Sequence, residues 1–185
     1  MTDRNIAVLV GSLRRASWTR KVAKALIALS PPGVSFTMIE LGSLQMYNQD
    51  LDDDGATPPE WTAFRDQVRP FDAVLFVTPE YNRSVPALIK NAIDIGSRPY
   101  GQSVWSGKPA AVVSVSPSVL GGFGANHALR QSLVFLDMPA MQQPEAYIGN
   151  AAKLFADDGT VVEASRDYLT KIAADIAAWV VRLSV

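Results

Sequence analysis

Hydroxyl and guanidinium side chains crowd one short segment near the start of the chain. The segment GSLRRASWTR, residues 11–20, lies between the apolar run IAVLV and the helix-like stretch VAKALIAL. A helix N-terminus offers free N–H groups and the positive end of a dipole, so it suits an anion. Ser12, Ser17 and Thr19 add short hydroxyl donors, and Arg14 adds a rigid cationic fork. This donor set matches a terminal monophosphate, which is compact and rich in acceptor oxygens.

The glycine pattern of this segment restricts the nucleotide that it can hold. Neither GxxxxGK[ST] nor GxGxxG follows the first apolar run, which argues against the usual sites for nucleoside triphosphates and dinucleotides. A terminal phosphate held by side-chain hydroxyls points instead to FMN. The alternative is an ordinary helix with a Ser or Thr cap and a few surface arginines.

A second polar segment, TPEYNRSVP at residues 78–86, follows another apolar run. Pro79 would end the strand, and Glu80, Tyr81 and Asn82 would then lie at its carboxyl end. Their peptide groups could bind the polar edge of a flavin, and Tyr81 could shield one face or contact a neighbouring subunit. The alternative is a plain turn followed by a helix that begins at a proline.

Short apolar runs alternate with longer amphipathic stretches along the chain, which predicts a parallel sheet with helices on both faces. We expect strands at 5–11, 34–41, 72–79, 108–118 and within 139–148, helices at 17–29, 61–70, 87–97, 126–138 and 163–183, and a long loop at 42–58. The predicted fold is a flavodoxin-like three-layer α/β sandwich with strand order 2-1-3-4-5, formed by residues 1–185 as a single domain.

This topology selects the ligand site before any motif is considered. Ligands of such sheets bind beyond the carboxyl ends of the strands, at the switch point between strands 1 and 3. The rule selects residues 11–19, 79–86 and 116–124, and all three segments are rich in Gly, Pro or polar residues.

Composition excludes several other classes of protein. The 185 residues are 48% hydrophobic and 19% charged with a net charge of −1, so no basic field is available for nucleic acid. Cysteine is absent, which excludes disulfides and thiolate catalysis, and we expect no metal site. No run approaches the length of a membrane span, and no signal peptide is evident, so we expect a cytoplasmic protein.

Three stretches carry a resemblance to a known family. GSLRRASWT, PEYNRSVPALIKNAID and LRQSLVFLDMP resemble the NADPH-dependent FMN reductases, in particular the bacterial chromate and quinone reductases. The resemblance runs from Ile6 to about Gly149. It implies a flavodoxin-like fold, non-covalent FMN, and assembly as a homodimer or homotetramer.

The resemblance assigns roles to individual residues. Ser12, Arg14, Ser17 and Thr19 would hold the FMN phosphate, with Thr19 at a position where the family often has Asn. Pro79, Glu80, Tyr81 and Asn82 would line the isoalloxazine ring. In SPSVLGGFGA, Ser116, Gly121 and Gly122 match a third loop that lets backbone approach the ring; a flexible turn is the alternative for the two glycines.

The activity implied by the resemblance is an NAD(P)H-dependent oxidoreductase. NADPH or NADH would deliver a hydride to FMN, and a quinone, chromate, azo dye or ferric complex would then accept electrons in ping-pong fashion. No side chain is needed as a catalytic acid or base. The alternative is a flavodoxin-like electron carrier, although such carriers usually have a stronger negative charge.

Four further features have both functional and structural interpretations. Arg83 follows the flavin-lining motif and could attract anionic substrates at the mouth of the site, or be a solvated arginine. His127 is the only histidine and is expected at the surface or in a cap, although it could touch the flavin or a partner subunit. The acidic run at 52–54 is expected to be solvated. The apolar helix at 126–138 could pack in the core or against another subunit.

Overall fold

The fold is a five-stranded, wholly parallel sheet with the strand order β2-β1-β3-β4-β5. The structure is a computed structural model that describes residues 3–183. The strands are β1 Arg4–Val10, β2 Val34–Ile39, β3 Ala73–Thr78, β4 Ala110–Val115 and β5 Ala146–Ile148. The strand order and parallel pairing confirm the predicted flavodoxin-like topology.

Helices cover both faces of this sheet. They are α1 Trp18–Ala28, α2 Gln49–Asp53, α3 Pro59–Val68, α4 Ala87–Gly96, α5 Phe123–Phe135 and α6 Glu163–Leu183, with a 3₁₀ turn at Ala151–Leu154. Within residues 3–183, no helix combines the length and the apolar character that crossing a membrane requires.

Burial on both faces explains why the strands are apolar runs without alternation. In β1, Ile6 and Val8 belong to the cluster that packs against α1 and α6. The intervening Ala7 and Leu9 belong to the second cluster, which packs against α3, α4 and α5. The core therefore has two layers, one on each face of the sheet.

The long loop predicted at 42–58 contains a helix that the sequence did not indicate. The side chain of Asn48 caps α2 by accepting from the N–H of Asp50. Asp52 faces inward and forms a bidentate ion pair with Arg65 of α3, with N–O distances of 2.6 and 2.9 Å. The prediction that the acidic run at 52–54 is solvated is therefore wrong for Asp52, whose side chain is 2% exposed.

Helix α5 begins at Phe123, three residues before the predicted start. Gly121 and Gly122 have φ angles of +60° and +75°, a left-handed conformation that glycine adopts without steric cost. Two such residues in succession turn the chain sharply after β4, so the helix starts immediately beyond them. The sequence pattern placed the start too late because Phe123 and Gly124 carried no helical signal of their own.

Candidate functional site

A cavity of about 240 Å³ lies where the loops that follow β1, β3 and β4 meet. It is therefore at the predicted switch point, beyond the carboxyl ends of the strands. The lining residues are Ser12, Arg14, Ser17, Trp18, Thr19, Pro79, Glu80, Tyr81, Val115, Ser116 and Pro117. The structure thus brings together eight of the eleven residues that the sequence suggested for cofactor binding.

The N-terminus of α1 forms one end of this cavity. Ser17 is the N-cap, and its Oγ accepts from the N–H of Arg20 at 3.1 Å. The carbonyl of Ser17 accepts from the N–H of Lys21. The first four N–H groups of a helix lack partners within the helix, and those of Trp18 and Thr19 are among them.

Buried hydroxyl groups surround this helix end. Ser12, Ser17 and Thr19 are each at most 5% exposed, and the Ser17 and Thr19 hydroxyl oxygens are 2.7 Å apart. The Ser12 hydroxyl accepts from the N–H of Arg14 at 3.4 Å. Ser17 therefore does cap α1, as the alternative interpretation expected, but this cap is part of a cavity lined by several hydrogen-bond donors.

A glycine allows the first two loops to converge. A Cβ atom at Gly11 would lie 2.9 Å from Cγ1 of Ile89 and 2.9 Å from Cδ of Pro79. Real Cβ atoms do not approach this closely without displacement of their neighbours. The end of β1 therefore packs directly on the loop after β3, which holds the two sides of the cavity together.

The loop after β3 contains a tight two-residue turn. The backbones of Tyr81 and Ser84 exchange two hydrogen bonds, at 3.1 and 3.0 Å. The central residues Asn82 and Arg83 have φ angles of +51° and +64°, as a type I′ turn requires. Tyr81 lines the cavity and is 47% exposed, whereas Asn82 and Arg83 lie outside the lining.

The two glycines of the third loop also lie outside the lining, and packing explains both positions. A Cβ atom at Gly121 would be 2.7 Å from the carbonyl carbon of Tyr147, and one at Gly122 would be 3.1 Å from Cβ of Ser114. They shape the turn before α5, and their approach to a flavin ring stays a prediction. Ser116, from the same loop, does line the cavity.

Comparison with known proteins identifies the family. The sequence matches the NADPH-dependent FMN reductases over residues 4–153. The chain belongs to this family. It is 60% identical to a quinone reductase of Pseudomonas putida over 95% of this chain and 94% of that one. It is 44% identical to a 2-hydroxy-1,4-benzoquinone reductase of a Burkholderia species, over 95% of each chain.

A solved structure supports the same family assignment. FerB of Paracoccus denitrificans, a flavoenzyme described as an NAD(P)H:(acceptor) oxidoreductase, superposes with a TM-score of 0.90. The two chains are 40% identical, over 98% of this chain and all of FerB. The family uses FMN together with NADPH or NADH, so this chain is an FMN-dependent oxidoreductase.

The donors at the end of α1 fit the phosphate of FMN. The residues that line the cavity at this end include three with buried hydroxyl side chains and one arginine. A phosphate monoester offers three acceptor oxygens and a charge that the helix end favours. For an FMN reductase, Ser12, Arg14, Ser17 and Thr19 are therefore a chemically consistent phosphate-binding set.

Three lining residues were not suggested by the sequence: Trp18, Val115 and Pro117. Trp18 is the first residue of α1 and stacks on Phe155, with ring centroids 6.1 Å apart. The ammonium group of Lys21 lies 4.5 Å from the centre of the Trp18 ring, a cation–π arrangement. Trp18 directly follows the residue that caps the helix, and this position next to the cap was the available signal.

His127 and Arg83 both lie outside the lining of the cavity. His127 is exposed on α5, where Nε2 lies 2.8 Å from the hydroxyl of Tyr147. Burial, together with a hydrogen bond and the charge of Glu145, raises the pKa of Tyr147 to about 12, so this hydroxyl keeps its proton near neutral pH. The Arg83 side chain is 74% exposed and lies 3.3 Å from a carboxylate oxygen of Glu80.

Proposed function

We propose that this FMN reductase reduces quinones with electrons from NADPH or NADH. The observation that carries the proposal is the cavity at the switch point, which is lined both by hydroxyl and guanidinium side chains at a helix end and by Tyr81, which begins a hydrogen-bonded turn. The names of the relatives from Pseudomonas putida and Burkholderia support a quinone as the acceptor. The chemistry that bound FMN supplies is two-electron transfer between nicotinamide and quinone.

The protein's own contribution is binding and orientation. Ser12, Ser17 and Thr19 would fix the phosphate, and Arg14 would balance its charge. Pro79, Glu80 and Tyr81 would border the ring through a turn that is already ordered, and Ser116 would border it from the loop after β4. We expect ping-pong kinetics, because donor and acceptor would use the same open side of the cavity in turn.

Other acceptors belong to the same proposal. Chromate, azo dyes and ferric complexes would be reduced if the open side of the cavity admits them. The exposed guanidinium of Arg83 stands beside the turn, where it would attract an anionic acceptor or an NADPH phosphate. Arg83→Ser should then raise KM for chromate and NADPH more than for a neutral quinone, and equal KM values in the two proteins would remove this role.

We also propose that residues 1–185 form one domain that assembles into a homodimer or homotetramer. Large apolar side chains exposed on α5 support the assembly: Val134 is 80% exposed and Phe135 is 83% exposed. A cytoplasmic location remains a prediction, favoured by the absence of cysteine.

The visible spectrum of the purified protein, recorded with FMN added and then with NADPH under anaerobic conditions, tests the proposed function. We expect flavin bands that bleach with NADPH and return when a quinone is added. Bound FMN that NADPH does not bleach would identify an electron carrier instead. If the protein binds no FMN, the anion held by the helix end is a different one and the proposal fails.

A further inference from the structure

The carboxylate of Glu80 is directed at the neighbouring helix. Its Oε2 accepts a hydrogen bond from the N–H of Ala125 at 3.1 Å, and its Oε1 lies 3.3 Å from Nη1 of Arg83. The side chain is only 14% exposed. Ala125 is the third residue of α5, and a helix leaves its first N–H groups without partners inside the helix. Glu80 therefore caps α5 from a different loop.

The turn at residues 81–84, which directly follows Glu80, is held in a costly backbone conformation. Asn82 and Arg83 both have left-handed backbone angles. Asparagine is a preferred residue at the first of these positions, whereas the second favours glycine, so the steric cost falls on Arg83. A strained turn persists only where the surrounding structure overdetermines it. The backbone bridge between Tyr81 and Ser84 lies within the turn, whereas the hydrogen bond from the N–H of Ala125 to Glu80 joins this loop to α5.

The close approach of the turn to α5 reinforces this contact. A Cβ atom at Gly124 would lie 2.8 Å from the carbonyl oxygen of Arg83 and 2.9 Å from Oε2 of Glu80. The turn and the first turn of the helix are therefore in direct contact, and the glycine leaves room for the carboxylate to reach the N–H of Ala125.

We infer that Glu80 is a positioning residue: its carboxylate holds the strained turn at residues 81–84 against α5, so that the turn is in place before the cofactor arrives. The inference rests on the proposed function, in which the peptide groups of this turn border the flavin. Preorganisation of this kind raises affinity by removing the cost of ordering the loop on binding.

The first test measures the dissociation constant of FMN for the apoprotein, by quenching of FMN fluorescence. Glu80→Ala removes both contacts and should weaken FMN binding about tenfold, the effect of losing one partly buried, charge-assisted hydrogen bond. Glu80→Gln keeps an acceptor for the N–H of Ala125 and should recover most of the affinity. Glu163→Ala, at the N-terminus of α6, is the matched control and should bind FMN as the parent does.

The second test asks whether Glu80 acts through strain in the turn. Glycine accepts a φ of +64° without cost. In Arg83→Gly the turn should therefore keep its conformation without the contacts of Glu80. Glu80→Ala should then weaken FMN binding only about twofold in the Arg83→Gly background, because the tenfold loss reflects strain that is no longer present. Thermal unfolding of each apoprotein records whether the variant is folded.

The outcomes separate this inference from the proposed function. If the parent protein binds FMN but Glu80→Ala binds it equally well, Glu80 has no positioning role and the proposed function stands. A tenfold loss that is the same in both backgrounds would also overturn the inference, because it would mean that the carboxylate contacts the cofactor directly. A parent protein that binds no FMN removes the proposed function itself.

Discussion

At the scale of single residues, two neighbouring arginines offer a matched comparison. Arg14 lines the cavity and Arg15 does not, although both are exposed and next to each other in the chain. We expect Arg14→Ala to weaken FMN binding about tenfold, because it removes a charge-assisted contact to the phosphate. Arg15→Ala should change the dissociation constant less than about twofold, since it removes only a distant charge that salt screens.

Riboflavin, which lacks the phosphate, provides the control for this comparison. If Arg14 contacts the phosphate, Arg14→Ala should leave the affinity for riboflavin unchanged. Equal losses of FMN and riboflavin binding would place Arg14 elsewhere in the site.

A second residue-scale prediction concerns stability at low pH. Asp52 accepts hydrogen bonds from Arg65 and Thr57, and these lower the pKa of Asp52 below its ordinary value of 3.8. The carboxylate therefore stabilises the folded chain at pH values above 3.8, and this contribution is lost as the pH falls through the lowered pKa. Asp52→Asn should reduce the free energy of unfolding by about 3 kcal/mol at pH 7, because it leaves Arg65 as an uncompensated buried charge.

Urea unfolding at several pH values measures this effect. The difference between parent and Asp52→Asn should shrink as the pH falls below about 4 and through the lowered pKa of Asp52, where the folded parent loses the same charge. Asp54→Asn, an exposed neighbour at the end of α2, is the control and should follow the parent throughout. A constant difference down to pH 2 would contradict the role of the ion pair.

At the scale of elements, the close contact between the end of β1 and the loop after β3 leaves no room for a side chain at Gly11. Gly11→Ala would push a methyl group into Ile89 and Pro79. We expect this overpacking to reduce the free energy of unfolding by about 2 kcal/mol and to weaken FMN binding, because both sides of the cavity shift. Gly42→Ala is the control, since its Cβ would meet only the flexible side chain of Leu13; urea unfolding and FMN titration compare the two.

The same elements explain how far the sequence predicts the site. The strands and the polar loops are encoded locally, in apolar runs and in the breaks between them. Together with the fold class and the family resemblance, they allowed eight lining residues to be named in advance. The ion pair of Asp52 with Arg65 could not, because the two residues belong to different helices and meet only in the folded chain. The orientation of Glu80 depends in the same way on α5, which lies more than forty residues later in the chain.

At the scale of the whole molecule, the surface around the end of α5 bears on assembly. Leu129 and Leu133 of this helix are buried, but Phe135 is 83% exposed. Phe135 borders the same groove as Tyr100, which is 91% exposed. One face of the apolar helix predicted at 126–138 thus packs in the core, and the other face exposes apolar side chains, as helices at subunit interfaces do.

The last prediction follows from this open face. If it is a subunit interface, Phe135→Glu places a charge where an apolar side chain must be buried, and a buried unpaired charge is strongly unfavourable. Light scattering coupled to size exclusion should give a dimer or tetramer for the parent and a smaller species for Phe135→Glu. Tyr168→Glu, on the opposite side of the sheet in α6, should keep the parental mass. A monomeric parent would contradict assembly itself, whereas an unchanged mass for Phe135→Glu would place the interface on another face.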